Sequence, residues 1–352
     1  MANNEEDFLE EIESETEDKE IDTAPYKINT YGADWTIEIL NNKLNDKEII
    51  VPPFQRRYVW PPKKASKLVE SFLLGLPVPQ IFLYRVEESQ DLLVVDGQQR
   101  LKSIQYFFNG KFEDGSDFFL RGVKPTWEGK TYKTLSEPDR RRFKNSILRT
   151  TIFEQTDPKD QSSVFEIFER LNTGGMALTP QEIRNCVIQG EINILLKELN
   201  EYRNWRDLLR KEQPDNRMRD TEIILRFLAL YKRSENYTKP MKDFITYFMK
   251  DNKHLSDDDK QEYSTLFKSV VDKIHSEIGT SAFKIKAGIN VALLDSVMVA
   301  VARIGPTGIT NLRERYNKLM ANQSYLESIS KSTTDKERVE RRINIAIETF
   351  SK

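Results

Sequence analysis

Apolar positions in the first half of the chain change period several times. After Pro61-Pro62, the residues Ala65, Leu68, Val69, Phe72 and Leu73 recur at helical spacing, and Gly75 follows where a helix C-terminus favours glycine; this predicts a helix of about three turns. Ile81-Phe82-Leu83-Tyr84 and Leu92-Leu93-Val94-Val95 are short apolar runs joined through Glu87-Glu88-Ser89-Gln90, the pattern of two strands in a hairpin. Leu101, Ile104 and Phe108 then share a helical face that ends at Asn109-Gly110. From Lys111 to Leu135 glycines, aromatics and charges mix without a period, so a loop or insertion is expected. Thr150-Thr151-Ile152-Phe153 reads as a return strand, and Val164, Phe165, Phe168 and Leu171 open a helix.

Beyond about residue 161 the pattern is mostly helical, with segments expected near 180–200, 217–233, 240–250, 257–277, 288–303, 309–328 and 334–350. The clearest start is Thr179-Pro180-Gln181-Glu182, which offers a capping threonine, proline at the first helical position and glutamate three residues after the cap. The expected class is α+β: a small mixed α/β domain over residues 25–160, then a helical domain over 161–352.

Charge sets the leader apart. Residues 1–22 hold eleven acids and one lysine, a balance of −10, while the rest of the chain has 53 basic and 45 acidic residues, or +8. A segment this acidic, with so few apolar groups, cannot offset the entropy of ordering itself; residues 1–24 are therefore expected to be a disordered tail that aids solubility or shields a basic surface. No apolar run approaches the roughly 20 residues that span a bilayer, and a single cysteine, Cys186, cannot form an internal disulfide. A cytoplasmic protein without membrane association is the expectation. The only histidines are His254 and His275, without Cys or His neighbours at ligand spacing, which argues against a zinc site and against an HNH-type nuclease centre. Neither a Walker-type nor a G-x-G-x-x-G sequence occurs, so a phosphate site would have to be built otherwise.

The candidate is Asp96-Gly97-Gln98-Gln99-Arg100, where an apolar strand passes into an amphipathic helix. A helix start presents backbone N–H groups and the positive end of the helix dipole, a seat for phosphate or carboxylate. Arg100 in the first turn can grip phosphate oxygens with a planar fork; Asp96 can cap the helix or hold a divalent cation; Gln98 and Gln99 add neutral donors and acceptors. The same pentapeptide also reads as a capping pair with a surface arginine. Pro53-Phe54-Gln55-Arg56-Arg57-Tyr58-Val59-Trp60 sets two arginines among aromatics, which suits stacking and phosphate pairing or, equally, a strand whose aromatics close the core. Phe168-Glu169-Arg170-Leu171-Asn172-Thr173-Gly174-Gly175 ends a helix in a polar turn. Arg140-Arg141-Arg142 and the run from Arg338 to Arg342 are basic clusters.

These three segments in this order, with Leu178-Thr179-Pro180-Gln181-Glu182 after the third, resemble the N-terminal half of GmrSD-type modification-dependent restriction enzymes, within the ParB/sulfiredoxin-like superfamily. Thr221 to Phe227 and Asn290 to Asp295 are similar to its helical part, so the likeness covers roughly residues 30–305. The resemblance implies an α+β domain whose Asp-Gly-Gln-Gln-Arg turn binds or hydrolyses a nucleoside triphosphate with Mg²⁺. Asp96 and Arg100 would then be catalytic and Asp96 the metal ligand, with Arg56, Arg57, Gly97, Gln98, Gln99 and Asn172 binding nucleotide. Complete enzymes of this kind also carry an HNH-like half, whose histidines this chain does not contain. The expected role is a nucleotide-binding, NTP-hydrolysing sensor or subunit of an antiviral restriction system, with nucleotide, DNA and a separate nuclease subunit as partners and a second copy of the chain as an open alternative. Two other readings stay open: a DNA-binding module that needs no nucleotide, drawn from the two arginine clusters, and a metal-dependent nickase acting at the Asp96 turn.

Overall fold

The computed structural model describes residues 27–52, 58–156, 162–171, 178–285 and 288–352. The acidic leader, Arg56, Arg57, Asn172, Gly174 and Gly175 lie outside them. The chain divides into two compact units, with the boundary between Leu178 and Thr179.

In the first unit the order is β1 (Ile28–Thr36), α1 (Ile37–Asn45), β2 (Ile49–Ile50), α2 (Pro62–Leu74), β3 (Ile81–Arg85), β4 (Leu92–Asp96), α3 (Gln98–Asn109), α4 (Glu137–Asn145), β5 (Ile147–Gln155) and α5 (Ser162–Leu171). The strands form one mixed sheet in the order β1-β5-β3-β4-β2. β1 runs antiparallel to β5 over its whole length, β3 and β4 make the expected antiparallel hairpin, and the β3/β5 and β2/β4 pairs are parallel. This is the expected α+β class.

Alternation along the hairpin decides which face each helix covers. Ile81, Leu83, Leu92 and Val94 point to one side and join the core made with α1, α2, α3 and Phe143 of α4. Tyr84, Leu93 and Val95 are also buried but point to the other side, where the Tyr84 ring lies 5.6 Å from Phe153 and 6.2 Å from Phe168 of α5. Both faces of the central strands are therefore covered, which is why β4 reads as an unbroken apolar run. Burial pushes the Tyr84 hydroxyl pKa up to about 12.

The helix ends follow the signals in the sequence. Gly75 and Gly110 close α2 and α3 in the left-handed conformation. The stretch from Lys111 to Leu135 has little regular structure, as expected. It nonetheless supplies core: Phe118 and Leu120 are fully buried, Trp127 and Leu135 nearly so, and Phe112 stacks on Phe118 at 4.3 Å.

The second unit holds α6 (Pro180–Val187), α7 (Glu191–Asn200), α8 (Arg203–Leu209), α9 (Arg219–Arg233), α10 (Met241–Asp251), α11 (Asp257–Glu277), α12 (Val291–Ile304), α13 (Leu312–Met320), α14 (Gln323–Ser328) and α15 (Lys336–Ser351). The segment expected at 180–200 breaks at Gly190, and that at 309–328 breaks at Asn322, whose side chain caps α14 through the Tyr325 amide at 3.1 Å. Nearly all of α12 is buried, so it forms the centre on which α9, α11 and α15 pack.

Buried ionic groups organise this unit. Asp295 of α12 is wholly buried and accepts from Arg226 Nε of α9 at 2.9 Å and from Arg342 Nε and Nη2 of α15 at 2.9 and 2.8 Å. One carboxylate thus ties three helices. The capping box expected at Thr179 and Glu182 is present, and Glu182 also accepts from Arg217 Nε at 3.1 Å. Within the same helix, fully buried Arg184 donates to Gln181, Glu222, Thr246 and the Lys242 carbonyl. The Leu178 to Glu182 motif therefore builds the start of the helical unit.

Candidate functional site at the turn between β4 and α3

The corner at the end of β4 depends on glycine at position 97. Gly97 has φ +105° and sits directly over β3: a Cβ there would stand 2.3 Å from Cγ2 of Ile81. The close approach lets α3 leave the sheet edge at once. Gly97 is the N-cap of α3, so the cap residue brings no side chain to the helix start, and Asp96 does not take that part either.

Asp96 instead holds Arg100. The Arg100 Nη2 donates to Asp96 Oδ2 at 2.8 Å and to the Gln80 carbonyl at 3.0 Å, and the two side chains, Arg100 and Asp96, are 16% and 22% exposed. The guanidinium is thereby fixed beside the positive end of α3. Its Nε is buried without a hydrogen-bond partner among the described residues. A buried donor without a partner is costly, and this Nε is the one buried polar atom of the pair that the described residues leave unsatisfied.

Gln99 has a definite structural task. Its Oε1 accepts from the Val59 amide at 3.0 Å and from the Trp60 amide at 3.2 Å, and the Tyr58 hydroxyl meets Ser103 Oγ at 2.8 Å. The end of the first motif is thus pinned along α3, one turn or less from Arg100. Tyr58 lies 5.0 Å edge-on from Tyr106 and 5.9 Å from Phe112, so both Tyr58 and Trp60 pack on the core, in line with the core-closing alternative for that motif. Gln98 is buried at the same corner. The structure therefore brings Asp96, Gly97, Gln98, Gln99 and Arg100 together, with Tyr58 to Trp60 against them.

The arginine clusters, which motivate the DNA-binding alternative, are partly engaged within the fold, while Arg141, Arg142 and Arg341 remain exposed. On α4, Arg140 donates to the Lys133 carbonyl, Arg142 to the Leu73 carbonyl, and Arg141 pairs with Glu137. On α15, Arg342 is fully buried on Asp295 and Arg338 donates to the Glu327 carbonyl. Much of this basic character goes into holding the fold. His254 and His275 lie near Glu191 and Asp207 respectively, and among the described residues no three His, Cys, Asp or Glu side chains gather in a metal-binding group. Among those residues, too, no helix is long and apolar enough to cross a membrane.

The first unit is thus an α+β domain whose small mixed sheet carries a strand-to-helix corner with glycine at the cap and an acid-paired arginine in the first turn. Residues 37–189 match the family described as GmrSD restriction endonuclease, N-terminal domain, which supports the resemblance drawn from the motifs. The matched span takes in the whole corner and reaches through α6. No curated protein matches the chain.

Proposed function

We propose that the first unit binds a nucleoside triphosphate with Mg²⁺ at the Asp96–Arg100 turn, and that the protein is a nucleotide-dependent sensor or subunit of a GmrSD-like antiviral restriction system. The observation that carries this reading is the guanidinium of Arg100, held by Asp96 at the N-terminus of α3 with its Nε unmatched. Phosphate oxygens arriving there would meet the helix dipole and a planar cation together. Asp96 Oδ2 is engaged by Arg100, so a Mg²⁺ ion accompanying the nucleotide would be met by Oδ1, with phosphate oxygens and water completing its shell; Mg²⁺ commonly takes only one or two carboxylates from the protein. In hydrolysis, the same guanidinium would neutralise charge that grows on the transferred phosphoryl group. In this reading a separate nuclease subunit would be a partner of the protein.

The test is a thermal-shift series with ATP, GTP, CTP and UTP in Mg²⁺, on wild type and on Asp96→Ala. A ligand at 100 times its Kd stabilises the native state by about 2.7 kcal/mol. We expect a rise in melting temperature with at least one triphosphate in wild type and a much smaller one in the variant. Equal shifts in both proteins, or none with any triphosphate, would remove the proposal.

A further inference from the structure

A further basic surface, in addition to the exposed members of the two arginine clusters, lies on α2. Lys63, Lys64 and Lys67 are exposed and lie within about one turn of each other on the outer side of α2. The segment from Phe119 to Lys130 is laid alongside. The Arg121 amide donates to Ser66 Oγ at 3.0 Å and the Lys124 amide to Glu70 Oε1 at 2.7 Å. Gly122, with φ +66°, passes so close under Lys63 that a Cβ there would stand 2.9 Å from Lys63 Cε. Five cationic side chains are thereby gathered on one face: Lys63, Lys64, Lys67, Arg121 and Lys124.

What holds this face together leaves most of its charge unused. Arg121 and Lys124 are anchored through their backbone amides, so their side chains are not needed for the packing. The acids of these two segments are Glu70 and Glu128. Glu128 accepts from the Gly122 and Val123 amides, and Glu70 is buried under Lys67, which donates to it at 2.7 Å. Burial pushes the Glu70 carboxyl up, but the bonds from Lys67 and from the Lys124 amide, with those two charges, more than reverse this and hold it below its ordinary range. Both carboxylates thus act inward on the loop. The aromatic faces here are already covered, Trp60 by Lys64 at 4.5 Å and Phe119 by Arg121 at 4.0 Å, so base stacking is not on offer.

We propose that Lys63, Lys64, Lys67, Arg121 and Lys124 form a docking face for the sugar–phosphate backbone of duplex DNA, without base-specific readout. Cations spread along a helix and an adjoining loop suit a row of phosphates better than a single compact anion. The choice of DNA over another polyanion rests on the restriction-system reading above; the location rests on geometry alone.

Fluorescence anisotropy of a labelled 20-base-pair duplex tests it, using the full chain from 50 to 300 mM salt. The variants are the triple Lys63→Gln, Arg121→Gln, Lys124→Gln and, as control, the double Arg140→Gln, Arg141→Gln. In the triple variant we expect affinity to fall more than 10-fold and the slope of log K against log salt to shrink by about 3, near 0.9 for each phosphate left without its cation. The control should stay within about 2-fold on the same counterion argument, and the triple variant should keep both its melting temperature and its nucleotide-induced shift. Unchanged affinity and slope in the triple variant, no duplex binding by wild type at 50 mM salt, or tighter binding of RNA than DNA of the same length would each overturn the proposal. Absence of the nucleotide shift in wild type with duplex binding intact would strike the nucleotide reading and leave this one standing.

Discussion

Replacing Arg100 with alanine is expected to weaken triphosphate binding by roughly 10- to 100-fold, the consequence of losing charge-assisted hydrogen bonds that contribute about 1.5–3 kcal/mol. Isothermal titration of the triphosphate selected by the thermal-shift series measures it. The ligand-free protein should also lose some stability, about 1–3 kcal/mol, because the Asp96–Arg100 pair is largely buried and Arg100 also donates to the Gln80 carbonyl. Arg100→Lys separates charge from shape: it keeps a cation but not the planar fork, so it should fall between alanine and wild type. Wild-type affinity in the alanine variant would mean that this guanidinium does not face the ligand.

The largest effect on stability should come from a residue far from that turn in sequence. Asp295→Ala leaves two buried guanidinium groups, Arg226 and Arg342, without their shared carboxylate. Breaking a buried ionic group by removing one partner costs about 3–5 kcal/mol, and for a unit of this size that corresponds to a fall of the order of 10 °C in Tm. Circular dichroism melts would show it, and a change below about 2 °C would be incompatible with the three-helix tie. Arg342→Met should cost less, since Asp295 keeps Arg226 and the aliphatic replacement fills the space.

How far such residues can be read from the sequence depends on whether their signal is local. The hairpin, α2, α3 and the capping box at Thr179 are legible because apolar period and cap chemistry lie within one short window. The nearness of Asp96 to Arg100 depends instead on the corner at Gly97, because Asp96 ends β4 and only Arg100 lies in α3. β1 and α1 give a weaker sign: Tyr31, Ala33 and Trp35 alternate, and Thr36 caps α1 through the Ile39 amide at 3.3 Å, but glycine and aspartate interrupt the strand. Nothing local tells that Gln99 holds the Val59 and Trp60 amides some forty residues back, or that Arg342 is a core residue while its neighbour Arg341 is not. In both cases the partner comes from a distant element, and tertiary packing overrides the usual preference of arginine for the surface. Within the arginine clusters, likewise, nothing local tells that Arg142 donates to the distant Leu73 carbonyl while Arg141 stays exposed beside Glu137. The basic face on α2 has no local signature because its five cations come from two segments more than fifty residues apart.

The turn between β4 and α3 is the heart of the account, and amide hydrogen exchange observes it directly. In a helix the first backbone N–H groups have no intrahelical acceptor and should exchange quickly unless something else receives them. With Mg²⁺ and the selected triphosphate, peptides spanning Val95 to Leu101 should slow at least several-fold, by more than any other segment of the first unit. Slowed exchange elsewhere, with Val95 to Leu101 unchanged, would place the ligand at another site and contradict the assignment of this corner.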